Sequence, residues 1–121
     1  MPTASGHTTA IRATRAVGTD VYNLDGKKIG KVEDIVLDKT DNAIMFAVVG
    51  FGGFLGMGEK YHALPWATLD YDKDQDGYVV PFTRDELEAG PADTITELTK
   101  DDGLHARQEA YSYYKVDPYW H

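Results

Sequence analysis

The chain has 121 residues, a net charge of −8 at pH 7 and no cysteine. This length predicts a single domain, and the 42% hydrophobic and 26% charged residues are typical of a globular protein. The lack of cysteine excludes disulfides and thiolate chemistry and favours a reducing compartment. The charge opposes binding to a phosphate backbone, and no apolar run approaches the ~20 residues of a membrane span. We therefore expect a cytoplasmic location, no nucleic-acid partner and no membrane insertion.

Short strand-like runs separated by turn residues extend over residues 9–82, after a small, polar segment, 1–8, that is predicted to be disordered. The runs are Val21–Tyr22, Ile29–Leu37, Ala43–Phe51, Lys60–Leu64, Leu69–Tyr71 and Tyr78–Phe82. Their regular spacing predicts a mostly β fold, a small closed β-barrel of about six strands.

The alternation of apolar residues along these runs identifies a candidate core. It comprises Val32, Ile35, Leu37, Ile44, Phe46, Val48, Leu64 and Val79. Between Val32 and Ile35 the alternation is interrupted by two acidic residues, Glu33 and Asp34. A β-bulge is therefore predicted at this point.

Residues 83–121 differ in character and predict a short helical, aromatic-rich extension. Thr83 and Glu86 have the spacing of a capping box, and Gly90-Pro91 ends the helix that the box begins. A second box is predicted at 99–102, before a helix over 104–114. The side chains predicted to share one face of that helix are Leu104, Arg107, Tyr111 and Tyr114.

Aromatic residues crowd the end of the chain, where most proteins are polar and frayed. They are Tyr111, Tyr113, Tyr114, Tyr119 and Trp120. Such side chains are enriched at interfaces, since they bury a large area and keep a polar tip for hydrogen bonding. We therefore predict a homodimer or larger assembly with this tail at the interface. The alternative, in which the tail folds back on its own barrel, stays open at this stage.

A glycine-rich stretch, 50–58, carries four large apolar side chains, Phe51, Phe54, Leu55 and Met57. These are too many for an ordinary solvated loop, so we expect them to lie against apolar surface or to contact a partner. A phosphate-binding loop would need Gly-Lys-Ser/Thr at its end, where this chain has Gly58-Glu59-Lys60-Tyr61. The stretch is therefore interpreted as a connection between strands that contributes to partner binding.

No set of residues predicts an enzyme, a cofactor or a metal site. Residues 72–77 match the first half of a calcium loop, but Thr83 stands where the bidentate Glu belongs, so tight calcium binding is not expected. The four histidines lack the spacing of metal ligands, and His62, in a predicted strand, is interpreted as structural. The serines lie in terminal segments without a paired base.

Several ordered pieces of the chain resemble the PRC-barrel family. They are Gly18-Thr19-Asp20-Val21-Tyr22-Asn23, Gly26, the run from Ile29-Gly30-Lys31-Val32 to Asp38, the stretch Gly52-Gly53-Phe54-Leu55-Gly56-Met57-Gly58-Glu59-Lys60, and Leu64-Pro65-Trp66. The resemblance implies a small β-barrel that contacts other macromolecules and carries no catalytic set. In this family the barrel occurs in the photosynthetic reaction-centre H subunit, in a ribosome-maturation factor and as stand-alone bacterial proteins, to which this chain is most similar.

Two hypotheses of function follow. The first is a non-enzymatic protein-interaction (adaptor or assembly) barrel that self-associates and binds protein through Phe54, Leu55, Met57 and the aromatic tail. The second is an accessory of a membrane reaction-centre or electron-transfer complex, which docks peripherally from the cytoplasm. A role in ribosome assembly is disfavoured by the negative charge.

Overall fold

A computed structural model describes residues 10–51 and 60–120. The strands are β1 Asp20–Tyr22, β2 Lys28–Asp38, β3 Ala43–Phe51, β4 Tyr61–Leu64, β5 Asp70–Asp72, β6 Gly77–Val79 and β7 Ala92–Asp93. The helices are α1 Ala13–Ala16, α2 Arg84–Ala89, α3 Ile95–Leu98 and α4 Leu104–Tyr113, with 3₁₀ turns at Trp66–Thr68 and Lys100–Gly103. Within these described ranges no helix has the length and apolar character needed to cross a membrane.

The strands form one seven-stranded sheet in the order β5-β6-β1-β2-β3-β4-β7. Neighbouring strands are antiparallel except β1 and β6, which run parallel. The outermost strands, β5 and β7, do not pair with each other in the described part of the chain, so the sheet is not closed. The prediction of a closed barrel is therefore wrong, whereas the mostly β character and the C-terminal helix are confirmed. The sheet stays open because β7, which belongs to the C-terminal extension, pairs with the free edge of β4. That edge is then not available to close a barrel.

The centre of the sheet is covered on both faces. In β3 every residue from Met45 to Val49 is buried, as expected for a strand that packs on two sides. The first core cluster includes Val21, Val32, Ala47, Val49, Leu64, Leu69, Tyr78, Val80, Leu87 and Tyr114. The second core cluster includes Met45, Phe46, Val48, Ala63, Leu98, Ala106, Ala110 and Tyr111. The helices of the extension thus complete both cores.

Half of the candidate core is fully buried: Val32, Phe46, Val48 and Leu64. Ile35, Ile44 and Val79 are half-buried. Leu37 is 65% exposed, so its assignment to the core is wrong. The register of β2 on β3 shifts between Val36 and Leu37, and this shift breaks the alternation on which the prediction depended.

The bulge predicted between Val32 and Ile35 is confirmed, because the pairing with β3 shifts between Val32 and Asp34. The capping box at Thr83 and Glu86 is also confirmed, with both reciprocal hydrogen bonds formed.

The predictions for the last helix are wrong in two respects. The box at 99–102 does not cap α4, whose N-cap is Gly103 with a φ of 77° and no side-chain hydrogen bond. The preceding helix, α3, does have a side-chain cap, because the Thr94 hydroxyl accepts a hydrogen bond from the Glu97 N–H. Leu104 is 47% exposed, and the residues of α4 that pack inward are Ala106, Ala110 and Tyr111.

Candidate protein-interaction surface

The aromatic tail packs against its own sheet. Tyr111 is buried and donates a hydrogen bond from its hydroxyl to the Met45 carbonyl, at 2.9 Å. Tyr114 lies in the first core cluster with its ring centroid 4.6 Å from that of Phe82. Tyr113 is exposed and donates to the Glu86 carbonyl at 2.6 Å. The open alternative from the sequence, a tail folded back in cis, is the arrangement found within this chain.

The last aromatic residues surround an ion pair. Tyr119 and Arg107 both donate to Oδ2 of Asp38, at 2.7 Å and 3.1 Å. The Arg107 guanidinium carbon lies 3.9 Å from the centre of the Trp120 ring, which makes an edge-to-face contact with Tyr111, with centroids 4.7 Å apart. These contacts attach the tail to the end of β2 by both charge and ring packing.

The Asp38 carboxylate is well stabilised in its charged form. Its side chain is 8% exposed, and it also accepts backbone N–H groups from Thr40 and Asp41. The hydrogen bond from Tyr119, with help from these N–H groups and the Arg107 charge, holds the pKa of Asp38 below its usual value. The sequence contained no signal for this cluster, since its members are separated by 69 and 81 positions.

The partner-binding role predicted for the five tail aromatics stays a prediction. Most of their surface and most of their hydroxyls are engaged inside the chain, so a partner would reach only the exposed parts of such residues as Tyr113, which is 38% exposed. The other three residues predicted to bind a partner, Phe54, Leu55 and Met57, lie outside the described residues.

An apolar groove of about 550 Å³ opens between the N-terminal segment and the middle of the sheet. Its walls include Ile11 and Val17, which flank α1, Ile35 and Leu37 from β2, Ile44 from β3, and Trp66. Three of these side chains are substantially exposed: Ile11 at 44%, Val17 at 37% and Leu37 at 65%. Apolar side chains gathered in this way on a surface are typical of a binding site.

A second depression of about 360 Å³ continues the groove past Leu37 toward the turn that joins β2 and β3. It shares Leu37 and Ile44 with the first, and Asp38, the anchor of the tail, also lies in its wall. Sequence reasoning missed this surface because it assigned Leu37, Ile35 and Ile44 to the core. The acidic pair before Ile35 could have indicated this surface, because it interrupts the alternation of apolar and polar residues along β2.

The turn at 72–77 uses its oxygens internally. Asp72 accepts the Asp74 N–H at 2.9 Å and the Gln75 side-chain amide at 3.3 Å. Asp76, which has a φ of 55°, accepts a hydrogen bond from the Tyr71 hydroxyl. Among residues 10–51 and 60–120, no cluster of His, Asp and Glu has the geometry of a metal site. The expected lack of tight calcium binding stays a prediction.

His62, on β4, lies against Phe51 with ring centroids 4.4 Å apart. Burial lowers its pKa to about 4, although the negative charge of Glu88 acts in the opposite direction. Its Nδ1 is buried and has no hydrogen-bond partner among the described residues. The ring is therefore neutral at pH 7 and serves as a packing element, which agrees with the structural role inferred from the sequence.

The sequence model of the PRC-barrel domain family matches residues 8–87. This match covers more than half of the chain, and the protein therefore belongs to the PRC-barrel domain family. No curated protein matches the chain. The open sheet and the groove described above lie largely within the matched residues.

Proposed function

We propose that this protein is a non-enzymatic protein-interaction module that binds its partner at the groove between α1, β2 and Trp66. The observation that carries the proposal is the exposure of Leu37, Ile11 and Val17 around one apolar depression. Water-exposed apolar area of this kind is stabilised when a partner covers it. Family membership supports the same view, since PRC-barrel domains are generally non-catalytic.

The groove offers shape and apolar contact but little chemistry. Among the described residues, the ionisable ones in its wall are Asp34 in the larger depression and Asp38 and Lys39 in the smaller one. Asp38 is already neutralised by Arg107. A site of this composition supports binding rather than bond making, because acid–base catalysis needs positioned groups of perturbed pKa that face the substrate.

Replacing Leu37 with aspartate tests the proposal. Leu37→Asp places a charge in the groove at a position that is already exposed, so the fold should tolerate it. The matched control is Leu24→Asp, since Leu24 is 59% exposed and lies outside the groove. Proteins captured from a lysate of the host by the tagged wild type should be lost from the Leu37 variant and kept by the control. Equal capture by all three proteins would contradict the proposal.

Self-association is part of the proposal and is tested separately. Light scattering of the full-length protein should give the mass of a dimer or larger assembly at micromolar concentration. The mass of a monomer would contradict self-association. The role in a membrane reaction-centre or electron-transfer complex, with peripheral docking, stays a prediction from the family resemblance, and so does the disfavoured role in ribosome assembly. Fractionation of host membranes and ribosomes would distinguish them.

A further inference from the structure

The groove lies beside an open edge of the sheet. β1 pairs with β2 only as far as Lys31, and two further backbone hydrogen bonds, Gly18 N–H to the Val32 carbonyl and Val32 N–H to the Thr19 carbonyl, end the ladder there. From residue 33 to residue 38, β2 pairs with β3 on one side and has no strand neighbour on the other, within 10–51 and 60–120. Strand edges of this kind are templates for a further strand.

A local hydrogen bond at this edge indicates that its backbone lacks a strand partner. The Ile35 N–H donates to Oδ1 of Asp34, the residue just before it, at 2.8 Å. Side-chain acceptors of this type satisfy a backbone donor where no strand does so. The carbonyl of an incoming chain would replace the Asp34 carboxylate at little cost, because Asp34 is exposed and can turn to water.

The open edge and the apolar groove share the same residues. Ile35 and Leu37 belong to the open part of β2 and also line the groove. A strand added at this edge would therefore hydrogen-bond to β2 through its backbone and direct alternate side chains toward Ile11, Val17 and Trp66. An amphipathic helix in the groove would leave the backbone groups of the edge without partners.

The negative charge at the open edge favours a partner segment of positive charge. Asp34 is exposed and has no ion-pair partner within the described residues, whereas the Glu33 side chain lies over Gly50 of β3, on the side of β2 away from the open edge. Arg12 and Arg15 belong to the α1 segment but are not among the described residues that line the groove. Opposite charges across paired strands are stabilising and like charges are destabilising. A strand beside Asp34 should therefore carry Lys or Arg.

The same charges disfavour a second copy of this edge as the occupant. Residues 33–38 read Glu-Asp-Ile-Val-Leu-Asp and contain no cation. Pairing of two such edges would bring carboxylates together with no cation between them. This repulsion is unfavourable in a protein whose net charge is already −8.

We infer that β2 binds an extended segment of another protein by strand addition along residues 33–38, with apolar residues at alternate positions and a basic residue beside Asp34. This inference rests on the proposed function and specifies the chemistry of the partner.

Selection from a display library of short random peptides on the immobilised full-length protein tests the inference. Enriched peptides should have apolar residues at every second position and a flanking Lys or Arg, and should contain no proline among the apolar positions. A synthetic copy of the best peptide should bind about tenfold more weakly to Leu37→Asp than to wild type or Leu24→Asp. Bound peptide should slow hydrogen exchange of the Ile35 amide, which bonds to Asp34 and not to β3, because strand addition protects amides at the open edge and helix docking does not.

Four results would overturn the inference: no enriched peptide whose binding depends on Leu37, apolar spacing of three and four residues, a preference for acidic peptides, or unchanged exchange of the Ile35 amide. A wild-type dimer that dissociates in Leu37→Asp would assign the edge to a second copy and overturn it too. If host proteins are still captured through Leu37 in any of these cases, the proposed function stands and only the strand-addition inference fails. If capture is also independent of Leu37, both fail.

Discussion

The hydroxyl of Tyr119 donates a hydrogen bond to Oδ2 of Asp38, 2.7 Å away and 81 positions earlier in the chain. Asp38 ends β2, and its neighbour Leu37 separates the two depressions of the candidate groove. The contact therefore holds the C-terminal tail against the strand end that also forms the proposed binding surface. Stability of the tail and geometry of the groove are linked through one carboxylate.

Removing the Tyr119 hydroxyl should weaken this attachment. Tyr119→Phe deletes a donor to a charged, mostly buried carboxylate, and we expect it to lower the free energy of unfolding by about 1–2 kcal/mol. Urea denaturation at pH 7 measures the change. Tyr113→Phe is the control, because the Tyr113 hydroxyl donates to an exposed carbonyl and should contribute about 0.5 kcal/mol or less. Equal losses in the two variants would contradict a special role for Asp38.

Asp38 should make the protein sensitive to acid. Its folded-state pKa lies below the usual value of 3.8, because the charged form accepts the Tyr119 hydroxyl and two backbone N–H groups and faces Arg107. The stabilisation is present above pH 3.8 and is lost as the pH falls through the lower folded-state value. Asp38→Asn should therefore be less stable than wild type at pH 7, and the difference should shrink below pH 3.8. A difference that stays constant down to pH 2 would show that the carboxylate charge is not involved.

His62 should contribute a separate pH dependence at higher pH. Burial lowers its folded-state pKa from 6.5 to about 4, so the unfolded chain binds a proton first as the solution is acidified. Stability is complete above pH 6.5 and falls between pH 6.5 and about 4. Because the ring is partly exposed, we expect a loss of ~2 kcal/mol rather than the larger value for full burial.

The variant His62→Gln should flatten this part of the pH profile, measured by denaturant titration at several pH values. His105→Gln is the control, since the His105 side chain is 70% exposed and lies beside Glu109 on the surface of α4. A profile that keeps its slope in His62→Gln would assign the titration to another group.

Two buried tyrosines should respond in opposite ways to loss of the hydroxyl. Tyr111→Phe removes the hydrogen bond to the Met45 carbonyl and leaves that acceptor without its partner, so a loss of about 1–2 kcal/mol is expected. The Tyr114 hydroxyl is buried and has no hydrogen-bond partner in the part of the chain that the structure describes. Tyr114→Phe should therefore be neutral or stabilising by up to ~1 kcal/mol. Thermal and urea denaturation of both variants measure the contrast, which a comparable loss in both would refute.

The features predicted correctly from the sequence are those encoded by neighbouring residues. The capping box depends only on Thr83 and Glu86, and the bulge depends on two acids placed between Val32 and Ile35. The buried run of β3 likewise follows from a continuous apolar segment bounded by turn residues. Family membership was also accessible, since the ordered pieces that resemble PRC-barrel proteins extend over much of the matched range, 8–87.

The errors concern relations between distant segments. Closure of the barrel depended on which element would lie beside β4, and the two-residue β7 from the extension lies there. Leu37 and Leu104 both have the local spacing expected of core residues. A register shift in β2 exposes Leu37, and α4 packs inward through Ala106 and Ala110, which leaves Leu104 in solvent.

The groove and the Asp38 cluster could be recognised only in the folded structure. Local propensity and alternation act over a few residues, and they were enough to define strands, caps and family. Asp38 contacts Arg107 and Tyr119, and Leu37 lines one groove with Ile11 and Trp66, only because folding brings distant segments together. No periodicity in a single sequence records which segment covers which face, because that choice minimises the exposed apolar area of the whole chain at once.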